Sequence, residues 1–301
     1  MRELVVISGK GGNGKTSVTA AFAYLAEQKV LCDLDVDAPD LHLIAHPALR
    51  RSGPFLSGNL AEIDPAACAG CGICHGVCAY GAIQKKGGRF GVEAAACEGC
   101  KVCVALCPAK AIAFHDRCCG TWFESETRFG HMIHAQLDPG QENSGKLVTL
   151  LKAKARERAA LVGLDLILSD GAPGIGCPVI SSLSQATLAL LATEPTPSGL
   201  HDLKRVAELC QGLRTRSAVL INKADLSAEY QAAIHAFCDA REIPVVGHLP
   251  YDAAMTTAMV RGQAVTEGPV TPFGTRVRRI WAELQPLLEP AWQARSGEHQ
   301  S

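Results

Sequence analysis

The chain has 301 residues, 48% of them hydrophobic and 20% charged, which is enough for one large domain with a sizeable core or for two domains. Its net charge of -1 supplies no overall positive field of the kind that draws a protein non-specifically to nucleic acid or to an anionic membrane. The apolar run at the N-terminus is too short for a signal peptide or a spanning helix, so the expected setting is cytoplasmic, where 14 clustered cysteines imply metal ligation rather than disulfides.

In chain order, "ELVVIS" is the first expected strand, "GKGGNGKTS" (residues 9 to 17) a glycine-rich turn, and "VTAAFAYLAEQ" the helix after it. Such a turn aims several backbone N–H groups and a helix N-terminus at one point, which suits a phosphate. Gly11, Gly12, Asn13, Gly14, Lys15, Thr16 and Ser17 form the expected nucleotide loop. Lys15 is placed to reach the outer phosphates and Thr16 to offer its hydroxyl to magnesium. The loop carries one more lysine, Lys10. In this it resembles the deviant Walker A motif, KGGxGKT[ST], of the MinD/Mrp family of P-loop ATPases. The resemblance implies ATP and Mg2+ as cofactors, and a dimer in which Lys10 reaches the partner's nucleotide as part of the catalytic set.

The second strand, "KVLCDLD", runs into "DLDVDAPDLH". The same resemblance makes this switch I, with Asp33 near the magnesium and Asp35 positioning the attacking water. Asp37 and Asp40 are alternatives, or cap the following turn.

From about residue 60 to 115 the strand-helix alternation gives way to cysteine, glycine and alanine. Cys68, Cys71, Cys74 and Cys78 recur 29 positions later as Cys97, Cys100, Cys103 and Cys107, and Ala82-Ile83 recurs as Ala111-Ile112. A repeat this regular implies two copies of one unit about a pseudo-twofold axis. The spacing CxxCxxCxxxC puts three thiolates on one tight loop and turns the fourth away, so two copies exchange their fourth ligands. Cys68, Cys71, Cys74 and Cys107 are thus expected to hold one 4Fe-4S cluster, and Cys97, Cys100, Cys103 and Cys78 the second. Zinc has no use for a third cysteine at that spacing followed by a fourth. Pro108 follows Cys107 as in ferredoxins, whereas Ala79 follows Cys78, which leaves one more backbone N–H near a sulfur. The insert resembles a bacterial two-cluster ferredoxin. Residues 2 to about 265 resemble MinD-superfamily ATPases that contain such an insert, and "HAQLDPGQENSGKLVT" and "DGAPGIGCPVI" are similar to stretches of that subgroup.

Beyond the insert, "KLVTLLKAKARERAALV" has the apolar spacing of a core-packing helix, with Ser144 as a candidate cap. "LDLILSDGAPGIG" ends a buried strand at Asp170, matching a Walker B aspartate followed by a mobile switch II. "TLALLAT", "SAVLINK" and "IPVVGHL" complete the strands. The resemblance assigns Asn222 to the base, with the backbone of "LPYD" at Pro250 beside it. Asp225 gives "NKAD" a guanine-reading look, so ATP over GTP rests on kinship. Near-continuous apolar strands separated by helices indicate a doubly wound, mainly parallel α/β sheet. The expected domains are 1–59 with 116–301 for the ATPase and 60–115 for the small α+β insert.

Cys32, Cys210 and Cys238 lie in strand or helix runs and read as small buried hydrophobes. Cys177, seven residues after Asp170, stands where the related nitrogenase iron protein has a cluster ligand, while a buried structural thiol is the plainer reading; Cys118-Cys119 is left without a role. The histidines show no catalytic spacing. The C-terminal "TRVRRIWAELQPLLEPAW" has Val277, Ile280, Trp281, Leu284 and Leu288 at helical spacing, interrupted by Pro286 and Pro290; the stripe argues for docking on its own domain over membrane contact. The expected function is nucleotide-driven dimer switching coupled to electron transfer, with an Mrp-type cluster assembly carrier as the alternative. The partners are a second like or homologous ATPase chain and a redox protein or cluster-accepting client, without nucleic acid.

Overall fold

The computed structural model describes residues 1–141 and 145–289. In chain order the elements are β1 (Arg2–Ser8), α1 (Lys15–Leu25), β2 (Lys29–Asp33), α2 (Leu41–Ala45), β3 (Ala48–Ile63), α3 (Ile73–Val77), β4 (Ile83–Lys86), β5 (Arg89–Val92), α4 (Val102–Ala105), β6 (Ile112–Thr127) and β7 (Gly130–Leu137). There follow α5 (Lys146–Leu161), β8 (Leu166–Pro173), α6 (Cys177–Leu183), β9 (Leu188–Thr193), α7 (Pro197–Gly212), β10 (Ser217–Asn222), α8 (Ala228–Asp239), β11 (Val245–Leu249), α9 (Ala253–Val260) and α10 (Pro272–Leu288). The chain divides into two compact units, the second being Pro54–Thr121 with a short return from Leu137. This is wider than the expected 60–115, because the frame includes long stretches of β3 and β6.

In the first unit the strand order is β11-β10-β9-β1-β8-β2-β7-β6-β3, and each pairing from β11 to β7 is parallel. Successive side chains of a strand point to opposite faces, and β1 shows the result. Leu4 and Val6 join Phe22 of α1, Leu41 and Ile44 of α2 and the α10 stripe in one core cluster. Val5 and Ile7 join Val179 and Leu183 of α6, Leu203 and Val206 of α7 and Ile234 of α8 in the other. Both faces are covered, which is why these strands read as unbroken apolar runs.

The C-terminal stripe lies in the first of these clusters: Val277, Ile280, Leu284 and Leu288 are buried, and the Trp281 and Phe22 ring centroids are 5.1 Å apart. Pro286 sits inside α10, two residues before its end, so it interrupts less than the sequence suggested. Among the described residues no helix is long and apolar enough to cross a membrane. Pro290 and the Ser144 cap lie outside the described residues. The next residue, Gly145, is the N-cap of α5 and adopts φ 80.

Three strands, β3, β6 and β7, were not expected. They mix polar and exposed residues into the pattern, unlike the fully buried core strands: β7 sets His131, His134 and Gln136 among buried Met132, Ile133 and Ala135.

The second unit repeats itself at the backbone level. Gly70, Gly72 and Gly81 have φ of 68, 77 and 62; their counterparts 29 residues on, Gly99, Lys101 and Lys110, have 60, 68 and 49. Matching turn bonds recur, Gly81 N–H to Cys78 O and Lys110 N–H to Cys107 O, both 3.2 Å. Its small core combines Ala61, Ile63, Ala82, Ile83 and Ile112 with Cys74 and Cys97.

Candidate functional site

The loop from Gly9 to Gly14 connects β1 to α1 and is pinned from both sides. Asn13 donates to Ala192 O (3.3 Å) at the end of β9, and Asn222 at the end of β10 donates to Asn13 O (3.0 Å). Gly14 has φ 82, and a Cβ there would stand 2.6 Å from the Asn222 amide nitrogen, so this close approach requires glycine. Gly11 and Gly12 face solvent. Lys15 opens α1 and is buried, its Nζ 3.6 Å from an Asp35 carboxylate oxygen. The Ser17 hydroxyl lies 2.7 Å from Met259 Sδ.

Asp33 ends β2, Asp170 lies within the neighbouring β8, and the two are direct register partners. They are 1% and 0% exposed, and each has a carboxylate oxygen with no hydrogen-bond partner. The other Asp170 oxygen accepts from Thr19 (3.2 Å), and the other Asp33 oxygen from the Asp35 N–H (3.2 Å). Burial raises both acids. Asp33 is held well above its usual range by burial and the Asp170 charge; Asp170 is pushed up to about 6 by burial, against hydrogen bonding from Thr16 and the Lys15 charge. Two buried carboxylates with orphaned oxygens, a Thr16 hydroxyl in hydrogen-bond reach and a buried lysine form a hard, oxygen-rich donor set of the kind that holds Mg2+ beside a phosphate. Asp35 is also raised by burial, partly offset by Lys15.

On the base side, the Asn222 amide is engaged by Asn13 and by the Lys223 N–H (3.0 Å), which leaves one N–H and one lone pair for a ligand. Pro250 leads from β11 into α9, and the next N–H, of Tyr251, donates to the Asp225 carboxylate (2.6 Å). Lys10 lies against Glu194 (2.7 Å) and Ser198 (2.9 Å). The same Glu194 carboxylate takes Lys223 (3.0 Å), whose ammonium also reaches Gly12 O (3.4 Å). Burial would raise the Glu194 acid, but its hydrogen bonds to Lys10 and Lys223 hold it below its usual value. Sequence reading missed Glu194; its signal was a charged residue directly after the buried run "LALLAT".

In the second unit two small cavities, of about 20 Å3 each, open beside the loops. Cys68, Cys71, Cys74 and Cys107 line the first, and Cys78, Cys97, Cys100 and Cys103 the second. Each cavity thus takes three cysteines from one repeat and the fourth from the other. The Cys107 sulfur accepts from the Ala111 N–H at 3.4 Å. At Cys78, burial raises the thiol pKa but is outweighed by N–H groups of Tyr80, Ala82, Ile83 and Gly81, leaving it below its usual value. Ala82 and Ala111 are the repeat-related residues, so the two fourth cysteines share one backbone environment. Among the described residues no three His, Cys, Asp or Glu side chains converge to hold a single metal ion.

The family model for the CobQ/CobB/MinD/ParA nucleotide binding domain matches residues 4–265. The chain belongs to this family. It is 32% identical over 228 residues to the uncharacterized protein MJ0578 of Methanocaldococcus jannaschii, covering 75% of this chain and 79% of that one. MJ0579 of the same organism is 26% identical over 234 residues, covering 75% and 83%. Among solved structures, the cell division ATPase MinD of Pyrococcus furiosus superposes with a TM-score of 0.58 at 18% identity, over 95% of this chain and 99% of that one. MinD of Pyrococcus horikoshii, complexed with Mg-ADP, gives 0.58 at 16%, over 95% and 96%. At these identities the likeness is one of fold: an α/β domain with a mostly parallel central sheet.

In this MinD/ParA-type domain the remaining cysteines separate by exposure. Cys32, Cys210 and Cys238 are buried, and burial pushes Cys210 up to about 12 and Cys238 up to about 11, as inert core thiols. Cys118 and Cys119 are adjacent on β6 and differ, Cys118 exposed and Cys119 buried with its S–H toward Ser57 O (3.1 Å). Neighbours on a strand point to opposite faces, so they do not form a redox pair. Cys177 begins α6 and is exposed, contrary to a buried structural thiol.

Proposed function

We propose that the chain is an ATP-hydrolysing protein in which nucleotide-driven dimer switching is coupled to electron transfer through two 4Fe-4S clusters. The nucleotide half rests on the family. Lys15 would neutralise the outer phosphates, Thr16 and Asp33 would face Mg2+, Asp170 would hold the metal's water shell, and Asp35, released from Lys15, would orient the attacking water. Lys10 would leave Glu194 to reach a partner's nucleotide. The MinC:MinD complex of Aquifex aeolicus is a structural neighbour that works with a partner protein.

The observation that carries the redox half is the lining of the two cavities: each has four cysteines, three from one repeat and one from the other. Four thiols around one space fit a cluster that takes one thiolate per iron. Such clusters supply one-electron transfer. The chain's own contribution is to orient the thiolates and to donate backbone N–H groups to Cys78 and Cys107. A coupling of about 1–3 kcal/mol between sites would move a one-electron potential by roughly 40–130 mV.

One observation favours assembly as the second reading: Cys71 and Cys100 are exposed, as ligands that pass iron to a client must be. The test is anaerobic purification, with iron and sulfide counted per chain and cluster spectra followed on adding MgATP. Changed spectra or potential with iron retained support electron transfer; ATP-dependent loss of iron to an apo-acceptor supports assembly. A chain that purifies without iron under these conditions overturns both.

A further inference from the structure

The β4–β5 hairpin turns on Gly87 and Gly88, both with positive φ (58 and 84), and pairs Lys86 directly with Arg89. Like charges directly opposite on a two-stranded ribbon are destabilising, and a lone hairpin has little stability to spare. Among the described residues neither cation forms an ion pair, and both are exposed. Lys85, opposite Phe90, adds a third cation, its Nζ 5.5 Å from the ring. Glu93, just past β5, is the carboxylate lining the same shallow concavity. The fold therefore carries an electrostatic cost at this turn that no ion pair among the described residues offsets.

The hairpin's other residues reach both cysteine cavities. Phe90 lines one, beside Cys68 and Cys107; Ile83 and Val92 line the other, beside Cys78 and Cys103. Exposed Val77 and Tyr80 line that second cavity too, which gives an apolar patch beside the cations. An apolar centre with a charged rim is the anatomy of a protein interface.

We propose that this hairpin is the docking surface for an acidic protein that carries a one-electron centre, steered to the cysteine sites by Lys85, Lys86 and Arg89. The inference rests on the cluster reading of those cysteines. One electron leaves the partner's reduced centre and one is taken up in the cysteine-held site, with no bond made or broken. Opposite charge speeds encounter and sets orientation more than it adds affinity, which suits a brief redox contact. Nucleic acid fits less well: Phe90 packs on His75 (centroids 5.8 Å apart) and walls a cavity, so of the rings named on this surface Tyr80 alone is open to base stacking, short of the row of rings that binds successive bases.

The test uses the full chain, purified anaerobically, with an acidic flavodoxin as probe. Binding is measured by titration calorimetry at low salt and at about 0.3 M salt, where exposed charges are screened. Lys86→Glu replaces the like-charge pair by an opposite-charge one, so the hairpin should be no less stable while flavodoxin binds roughly tenfold more weakly. Lys86→Glu with Arg89→Glu should reverse the salt dependence, because salt then screens a repulsion from the acidic partner. A cluster-loaded chain whose flavodoxin binding ignores Lys86→Glu, or ignores salt, overturns the docking surface alone. Tighter binding of a single-stranded oligonucleotide through the same two residues overturns it in favour of nucleic acid. A native chain without iron overturns the cluster reading, and with it the redox role of the hairpin, whatever the calorimetry gives.

Discussion

The two units solve opposite problems. The nucleotide unit has a full aliphatic core on both faces of its sheet, and its site is an added burden: Asp33 and Asp170 are buried side by side with an unpartnered oxygen each. The cysteine unit has few large aliphatics, and Cys68, Cys74, Cys78, Cys97, Cys103 and Cys107 belong to or pack on its core cluster. One unit folds in spite of its site; on the cluster proposal the other depends on it. Small domains with thin cores commonly draw their stability from bound metal.

The sharpest way to break this contrast is to remove what the cysteines are proposed to hold. On the cluster proposal, chelating the iron should cost the second unit stability on the order of 10 kcal/mol and melt it, while the first unit keeps its cooperative thermal transition. Calorimetry with iron analysis checks this; one shared transition before and after chelation would contradict it. Cys107→Ala should remove the iron held with Cys68, Cys71 and Cys74 and spare the other site. Cys78→Ala should do the reverse. If Cys107→Ala instead empties the Cys97, Cys100 and Cys103 site, the exchange of fourth ligands between repeats is wrong.

Next in size is Asp170→Asn, which should lower ATP hydrolysis by about a hundredfold or more, as loss of a charge at the metal does. Its effect on the empty protein should have the opposite sign. An acid raised in the fold contributes most stability when protonated, below its unfolded pKa near 4, and loses it as pH rises toward the folded value of about 6. Asparagine cannot ionise. The variant should therefore be more stable than the native chain by on the order of 2–3 kcal/mol above pH 6, and nearly equal to it at pH 4. Nucleotide-free denaturant curves at both values check this; a difference that does not vary with pH would remove the burial argument. Saturating Mg-nucleotide should narrow the gap, since it stabilises the ionised native form.

Smaller still is the effect of Glu194→Gln. Lys10 is about one third exposed, so its pairing with Glu194 is worth about 1 kcal/mol or less after screening. Neutralising Glu194 should free Lys10 and raise ATP-dependent dimer formation severalfold, seen by sedimentation. Unchanged dimer formation would mean that the Glu194 contact does not restrain Lys10.

The contrast also explains what could be read from the sequence. The residues of both proposed sites could be named from the sequence because each reading rests on a short local signal: a loop fused to a helix N-terminus, and a cysteine spacing repeated at 29 residues. The six parallel core strands were legible too, since burial on both faces leaves continuous apolar runs. β3, β6 and β7 were missed because one-sided, half-exposed strands mix polar residues into the pattern, and β3 begins in "ALRRSG", where no apolar run announces it. Glu194 was missed for another reason. Its partners, Lys10 and Lys223, are remote in sequence and meet only because β1, β9 and β10 are neighbours in the sheet.

The smallest effect tests whether the two cysteine repeats are interchangeable. Lys101 opens α4 at φ 68, where its counterpart Gly72 opens α3 at φ 77. A non-glycine residue in that region costs about 1–2 kcal/mol, so Lys101→Gly relieves strain. Two terms oppose it: the Lys101 ammonium lies 5.4 Å from the Phe114 ring centroid, a contact worth about 0.5–1 kcal/mol, and glycine adds about 0.4–1 kcal/mol of unfolded-chain entropy. The balance is a change within about 0.5 kcal/mol of zero. The reciprocal Gly72→Lys adds strain of about 1–2 kcal/mol and sets a Cβ 3.3 Å from Phe90, offset by about 0.4–1 kcal/mol of unfolded-chain entropy, so it should destabilise by roughly 1 kcal/mol. Equal effects for the two substitutions, measured on the cluster-loaded chain, would show that the lysine-ring contact carries no weight and that the repeats tolerate the same residues.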